Sequence, residues 1–100
     1  MVRRREIRLS RRAEADLEGI YTYTVQQWSA AQAIRYVTEL NVGLQALAIG
    51  QILGRARSDP AEGYLSRPIG AHLIIYREMD DALFVVRILH ASMDVPRHLP

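Results

Sequence analysis

Two runs of apolar, β-branched and aromatic residues dominate the second half of the chain. His72-Leu73-Ile74-Ile75-Tyr76-Arg77-Glu78 and Leu83-Phe84-Val85-Val86-Arg87-Ile88-Leu89-His90 stand on either side of a polar break, Met79-Asp80-Asp81-Ala82. Such runs around a short break predict a β-hairpin, with Asp80 and Asp81 supplying the turn because their short side chains bond nearby backbone. Both strands are too apolar to leave a face in water, so another layer must cover them. The hairpin is therefore expected at the centre of a sheet.

The covering layer has to come from the first half. Glu6, Ile7, Arg8 and Leu9 alternate polar and apolar, which predicts a short, half-buried edge strand. Ser10 is placed to cap a helix over residues 11–28, whose Ala13, Leu17, Ile20, Thr24 and Trp28 recur on one face. Arg11 and Arg12 oppose the helix dipole in its first turn, while Glu14 and Asp16 compensate. Ser29 followed by Gln32 spells a capping box for a second helix. Its stripe is Ala33, Val37, Leu40, Leu44 and Leu47, flanked by Ile34, Asn41 and Ala48, and Gly50 is placed to stop it in the left-handed region. With almost no linker at residue 29, the two helices must fold back on each other. Residues 51–63 have no period and predict a surface loop. Residues 64–68 predict a short strand that Pro68 confines to an edge or an end. The ten residues after His90 contain two prolines and predict no regular structure. The expected fold is α+β: a two-layer, antiparallel helical hairpin packed on a mostly antiparallel β-sheet, in the order β-α-α-β-β-β, within a single domain over 1–100.

Composition narrows the function. The chain has 100 residues, 49% of them hydrophobic, which suits one globular core. The absence of cysteine excludes disulfides and thiolate metal sites and makes a reducing, cytoplasmic setting the expectation. The start has charge but no apolar run behind it, and no stretch approaches the roughly 18 apolar residues of a membrane span, so a soluble protein is expected. All thirteen basic residues are arginine, and the net charge is +2. Six arginines fall within the first twelve residues, either as a basic arm for phosphates or as a charged edge that discourages strand pairing.

Candidate chemistry is sparse. The glycines are spaced as helix stops and turns, so no nucleotide cofactor is expected. No histidine or carboxylate pair has zinc-site spacing, so no metal is expected. Ser10 and Ser29 are explained as caps, and Ser66 and Ser92 lack a base. What remains is His90 at a strand end with Arg67, Arg77 and Arg87 on adjoining strands. Such a group can take a proton from a ribose hydroxyl and steady a phosphate, or it can be structural. Turn length sets the arginine geometry. An even loop pairs Arg77 with Phe84 and puts it opposite Arg87, whereas an odd loop gives both one face. Trp28 and Tyr36 read as packing aromatics. A two-layer domain also leaves one apolar sheet face uncovered, which points to a macromolecular partner.

Taken together, Arg8-Leu9-Ser10, Ala13 to Tyr21, Ala33-Ile34-Arg35-Tyr36, Gly54-Arg55, Arg67 to Arg77, Val85 to His90 and Met93-Asp94 resemble the ParE branch of the RelE/ParE toxin superfamily. The resemblance implies the toxin of a bacterial toxin–antitoxin operon. It further implies DNA gyrase as target, no catalysis of its own, and a ParD-like antitoxin that wraps the toxin as a hetero-oligomer. The RelE branch instead cuts messenger RNA on the ribosome with basic residues and a C-terminal tyrosine or histidine–tyrosine pair. Here Arg67, Arg77, Arg87 and His90 fall in comparable strands, but the tail has no tyrosine. The alternative catalytic set is thus His90, Arg77 and Arg87. Ala91-Ser92 stands where ParE members often have glycine and a basic residue, which also allows a binding module without toxicity. Expected contacts with antitoxin or target are Arg55, Arg57, Arg67, Arg77, Arg87, His90 and Met93. The antitoxin is expected to put apolar side chains into the helical-hairpin groove and charge on Arg55, Arg57 or Arg67.

Overall fold

A computed structural model describes residues 4–57 and 63–99. Strand β1 (Glu6–Leu9) leads into helices α1 (Arg11–Gln27) and α2 (Ala30–Ala48), followed by β2 (Arg55–Ala56), β3 (Leu65–Ile69), β4 (His72–Glu78), β5 (Ala82–His90) and a short α3 (Val95–His98). The sheet has five strands in the order β1-β5-β4-β3-β2, so the β4–β5 hairpin is its centre as its composition requires. Pairing is antiparallel except where β1 runs parallel to β5.

The helix boundaries follow from local chemistry. Ser10 Oγ accepts the Ala13 N–H at 3.0 Å and donates to the Val86 carbonyl at 2.6 Å, so one hydroxyl caps α1 and fastens it to β5. Ser29 Oγ accepts the Gln32 N–H at 3.1 Å, while the Gln32 carboxamide turns to Arg35 instead of closing the box. Gly50, at φ +78°, ends α2. Its N–H bonds Leu47 O, and the Gln51 N–H bonds Ala46 O, the paired bonds of a Schellman stop.

Between the helices and the sheet lies the main core. Ala13 and Ile20 of α1 and Leu40, Leu44 and Leu47 of α2 pack on Ile74, Tyr76, Leu83, Val85 and Ile88. Ile7, Leu9, Leu65 and Ile69 close its margins. The sheet's other face is not left bare. Val95 and Leu99 of the C-terminal segment, with Tyr64, pack on Ile75 and Leu89.

Several expectations change here. The tail after His90 is partly helical, because Asp94 and Pro96 suit the first turn of α3 and Val95 anchors it to the sheet. It covers part of the face expected to be free. Part of the predicted 51–63 loop is strand: Arg55 and Ala56 pair with Ser66 and Leu65, while residues 58–62 lie outside the described residues. The following strand begins at Leu65 and runs to Ile69, one residue past Pro68. Trp28 (68% exposed) and Ile34 (58%) leave the core stripes, and Trp28 borders an open groove instead of packed core.

Candidate functional site

The hairpin turn has the even geometry, with Arg77 opposite Phe84 and Glu78 opposite Leu83. By parity alone Arg87 would then face the opposite way from Arg77. An irregularity between Ile75 and Tyr76 overturns this: Tyr76 pairs with Val85 but Ile75 pairs with Arg87, leaving Val86 as an extra residue. Arg87 thereby shares the face of Ile75 and, two residues on, of Arg77. Both arginines line one outer cleft of about 490 Å³, with Arg11, Arg12, Tyr64 and Phe84. Arg77 stacks on the Tyr64 ring, its guanidinium carbon 5.3 Å from the centroid.

Arg87 sits where β1 has ended and the edge of β5 is covered by α1. Its guanidinium donates from Nε and Nη2 to the two carboxylate oxygens of Asp16, at 2.9 and 3.0 Å, and from Nη1 to His98 O at 3.0 Å. Asp16 Oδ2 also accepts the Ile88 N–H at 2.8 Å. The carboxylate hydrogen bonds hold the Arg87 guanidinium above the usual arginine range. Asp16, expected to balance the α1 dipole, instead ties α1 to the strand and replaces the ladder partner that β1 no longer supplies.

The extra residue has a second effect. It places His90 directly opposite His72, with ring centroids 5.5 Å apart and planes at 85°. Both rings face the helix side and floor a groove of about 640 Å³ under α1, walled by Ile20, Tyr23, Trp28, Tyr36 and Met93. Tyr36 Oη lies 2.5 Å from His72 Nδ1 and accepts the Ala71 N–H at 2.9 Å. His90 Nδ1 accepts the Ser92 N–H at 3.1 Å and stands 2.7 Å from Ser92 Oγ. Burial pushes the His72 imidazole below the usual histidine value; the neighbouring His90 adds to this and Asp16 opposes it. Burial likewise pushes the Tyr36 hydroxyl up, and the Ala71 bond partly offsets it.

The expected residues therefore divide among four places. His90 and Met93 line the groove; Arg77 and Arg87 line the outer cleft. Arg55 and Arg57 lie on β2 and just after it, where Arg55 pairs with Ser66 and the Arg57 N–H bonds Tyr64 O. Arg57 Nη1 also donates to Ser66 Oγ at 3.2 Å. Arg67 points from the other face of β3 and donates to Leu53 O at 3.2 Å, holding the loop after α2. The expected cluster of His90 with Arg67, Arg77 and Arg87 is not assembled, and Arg55, Arg57 and Arg67 do not share one face. Sequence reasoning missed Asp16, Tyr36 and His72. Without the extra residue His72 would stand opposite Leu89, so the signal was the pairing of two histidines across a turn whose bulge was not legible. Among the described residues no cluster of three or more histidine or acidic side chains could hold a metal.

Residues 7–95 match the family described as the ParE toxin of the type II toxin-antitoxin system, parDE. The chain is 37% identical over 92 residues to Toxin ParE1 of Caulobacter vibrioides, covering 92% of this chain and 95% of that one. It is equally similar, 37% over 92 residues, to Toxin ParE1 of Mycobacterium tuberculosis, covering 91% of this chain and 94% of that one. In fold it resembles a chain of the chromosomal ParDE toxin–antitoxin system from P. aeruginosa, with a TM-score of 0.75 at 19% identity, covering 88% and 97% of the two chains. With the helical hairpin, the sheet order and these matches in agreement, the chain belongs to the ParE toxin family of type II toxin–antitoxin systems.

Proposed function

We propose that this toxin acts in the cytoplasm by gripping DNA gyrase, not by catalysis, and that a ParD-like antitoxin neutralises it by occupying the groove under α1. The observation that carries the binding reading is the separation of the acid–base candidate from the phosphate candidates. His90 lies on the helix side of the sheet, whereas Arg77 and Arg87 line the outer cleft. General acid–base cleavage of RNA needs those groups within hydrogen-bond reach of one ribose and its phosphate. Arg87 is moreover engaged on three sides by Asp16 and His98 O.

The outer face supplies the target surface in this reading. Arg11, Arg12 and Arg77 beside Tyr64 and Phe84 form a positive, partly aromatic cleft, which suits a target that carries DNA through electrostatic complementarity. The groove on the opposite layer is apolar and bordered by exposed Tyr23 and Trp28, which suits anchoring side chains of a wrapped antitoxin segment.

The test is purified gyrase with the toxin freed from its antitoxin. Loss of supercoiling with accumulation of cleaved DNA is expected, along with intact messenger RNA in arrested cells. Unaffected gyrase would overturn the target. Cut messenger RNA that becomes intact after His90→Ala would favour the ribosome-dependent endonuclease. Full growth on expression of the toxin without its antitoxin would mark a binding module without toxicity.

A further inference from the structure

The groove under α1 is largely apolar on its walls but floored by two imidazoles, each with a polar partner at Nδ1. Tyr36 Oη accepts the Ala71 N–H and lies 2.5 Å from His72 Nδ1, so a hydroxyl proton turned to that nitrogen completes its bonds. His90 Nδ1 is the acceptor for the Ser92 N–H. With both Nδ1 atoms accepting, each neutral ring carries its proton on Nε2. The backbone brings the rings together. Ile88 gives its N–H to Asp16 and not to β4, so Ile88 and Ile74, and likewise His90 and His72, are the narrow, non-hydrogen-bonded pairs of the ladder, where opposing side chains stand closest. Two Nε2–H donors are thus offered to an occupant of the groove, beside the Tyr23 hydroxyl and the Gln32 carboxamide that also line it.

The charged surroundings select that occupant. On α1, Asp16 is consumed by Arg87 and the Ile88 N–H. On α2 the facing titratable group is the Tyr36 hydroxyl, with Glu39 acting on it from farther along the helix. On β5, besides His90 itself, the nearby charge is Arg87, already paired, and in the tail Asp94 is paired with Arg97 at 3.5 Å. The groove has two imidazole donors, and the one carboxylate among its lining residues, Asp16, is already held by Arg87 and the Ile88 N–H.

We propose that His72 and His90 form a carboxylate-recognition pair, and that the group they read is an aspartate or glutamate flanked by apolar side chains in the segment of the antitoxin that fills this groove. This rests on the docking of the antitoxin there. Hydrogen bonds to a carboxylate are the stronger, charge-assisted kind, and the apolar walls keep competing water away. An arriving carboxylate favours the charged imidazole, so the complex takes up protons and tightens as the pH falls from 8 to 6.

The experiment measures the affinity of the full-length toxin for its full-length cognate antitoxin between pH 6 and 8. Gly19 lines the groove and has open space where a side chain would project, so Gly19→Leu blocks the groove in a folded helix. Gly19→Leu is expected to weaken binding severalfold; an unchanged affinity overturns groove docking and the carboxylate pair with it. The double variant His72→Phe/His90→Phe removes both donors and is expected to weaken binding about tenfold or more. The double variant His72→Gln/His90→Gln keeps an N–H at the Nε2 position without titrating. It is expected to bind like the wild type at pH 8 and to lose the pH slope. If Gly19→Leu weakens binding while the phenylalanine variant binds normally or the glutamine variant keeps the slope, the carboxylate pair falls and the docking stands. Nitrogen-detected imidazole spectra of the free toxin give an independent check: Nε2–H tautomers are expected, and an Nδ1–H ring at either position overturns the donor geometry.

Discussion

Replacing Asp16 by alanine removes the acceptor of three hydrogen bonds at once, from Arg87 Nε, Arg87 Nη2 and the Ile88 N–H. The two side chains are only 12% and 15% exposed, so the guanidinium left behind regains little water. Breaking a fully buried ion pair from one side costs roughly 3–5 kcal/mol. Residual solvent contact and the surviving Arg87 bond to His98 O reduce that, and we expect a loss of about 3 kcal/mol. For a domain of this size that lowers the melting temperature by about 15 °C. Asp16→Asn keeps the shape and an acceptor for the Ile88 N–H, and should cost about half as much. The assay is urea unfolding followed by circular dichroism on Asp16→Ala, Arg87→Ala and the double variant, with the cycle isolating the pair. Arg87→Ala should be the milder single change, because Asp16 can still accept from Ile88. A cost below about 1 kcal/mol for Asp16→Ala would refute the claim that this carboxylate fastens α1 to the open edge of β5.

Ser10→Ala loses both a cap and a tether to Val86 O and is expected to cost about 2 kcal/mol, against about 0.5–1 kcal/mol for the exposed cap Ser29→Ala; equal losses in chemical denaturation would remove the tether's role. A methyl group at Gly54 would run into the Tyr76 hydroxyl and ring, whereas one at Gly19 meets nothing. Gly54→Ala should therefore destabilise by about 1–3 kcal/mol and Gly19→Ala stabilise by about 0.5–1 kcal/mol, with thermal melts giving the two signs. His72 has its pKa lowered from 6.5 by burial and by His90, so the unfolded chain binds a proton more readily than the native one. Stability contributed by neutral His72 is then present above the unfolded value and lost as the pH falls below it. Unfolding midpoints should drop between pH 7 and 5 more steeply in the wild type than in His72→Gln, and parallel curves would refute this.

The two periods of the sequence carried most of the architecture. Spacing of three and four placed Ala13, Ile20, Leu40, Leu44 and Leu47 in the core, and the β-branched runs placed the hairpin at the centre. What the periods could not carry were features decided by a single residue or by distant chain. Pairing Arg55-Ala56 with β3 depends on tertiary contact, because two residues have no pattern. The α3 turn forms because Val95 finds Ile75 and Leu89, an outcome invisible to proline counting. Trp28 fitted its helical stripe by spacing alone, yet it faces an open groove and stays exposed. The candidate site suffered most: Asp16 and Tyr36 work through residues 71 and 36 positions away in the chain.

One inserted residue ties these site features together. With Val86 unpaired, β5 shifts register by one against β4; Arg87 turns to the outer cleft while His90 comes opposite His72 in the groove. The shift occurs just past Val85, where β1 stops pairing and Ser10 and Asp16 take over the free strand edge through Val86 O and the Ile88 N–H. A regular strand would need a continuous ladder on both sides, and here the helix start substitutes for the missing strand with side-chain groups that accept the altered spacing. The bulge thus resolves the backbone's hydrogen bonding and, by the same step, sets a positive cleft and an imidazole-floored groove on opposite faces of one sheet.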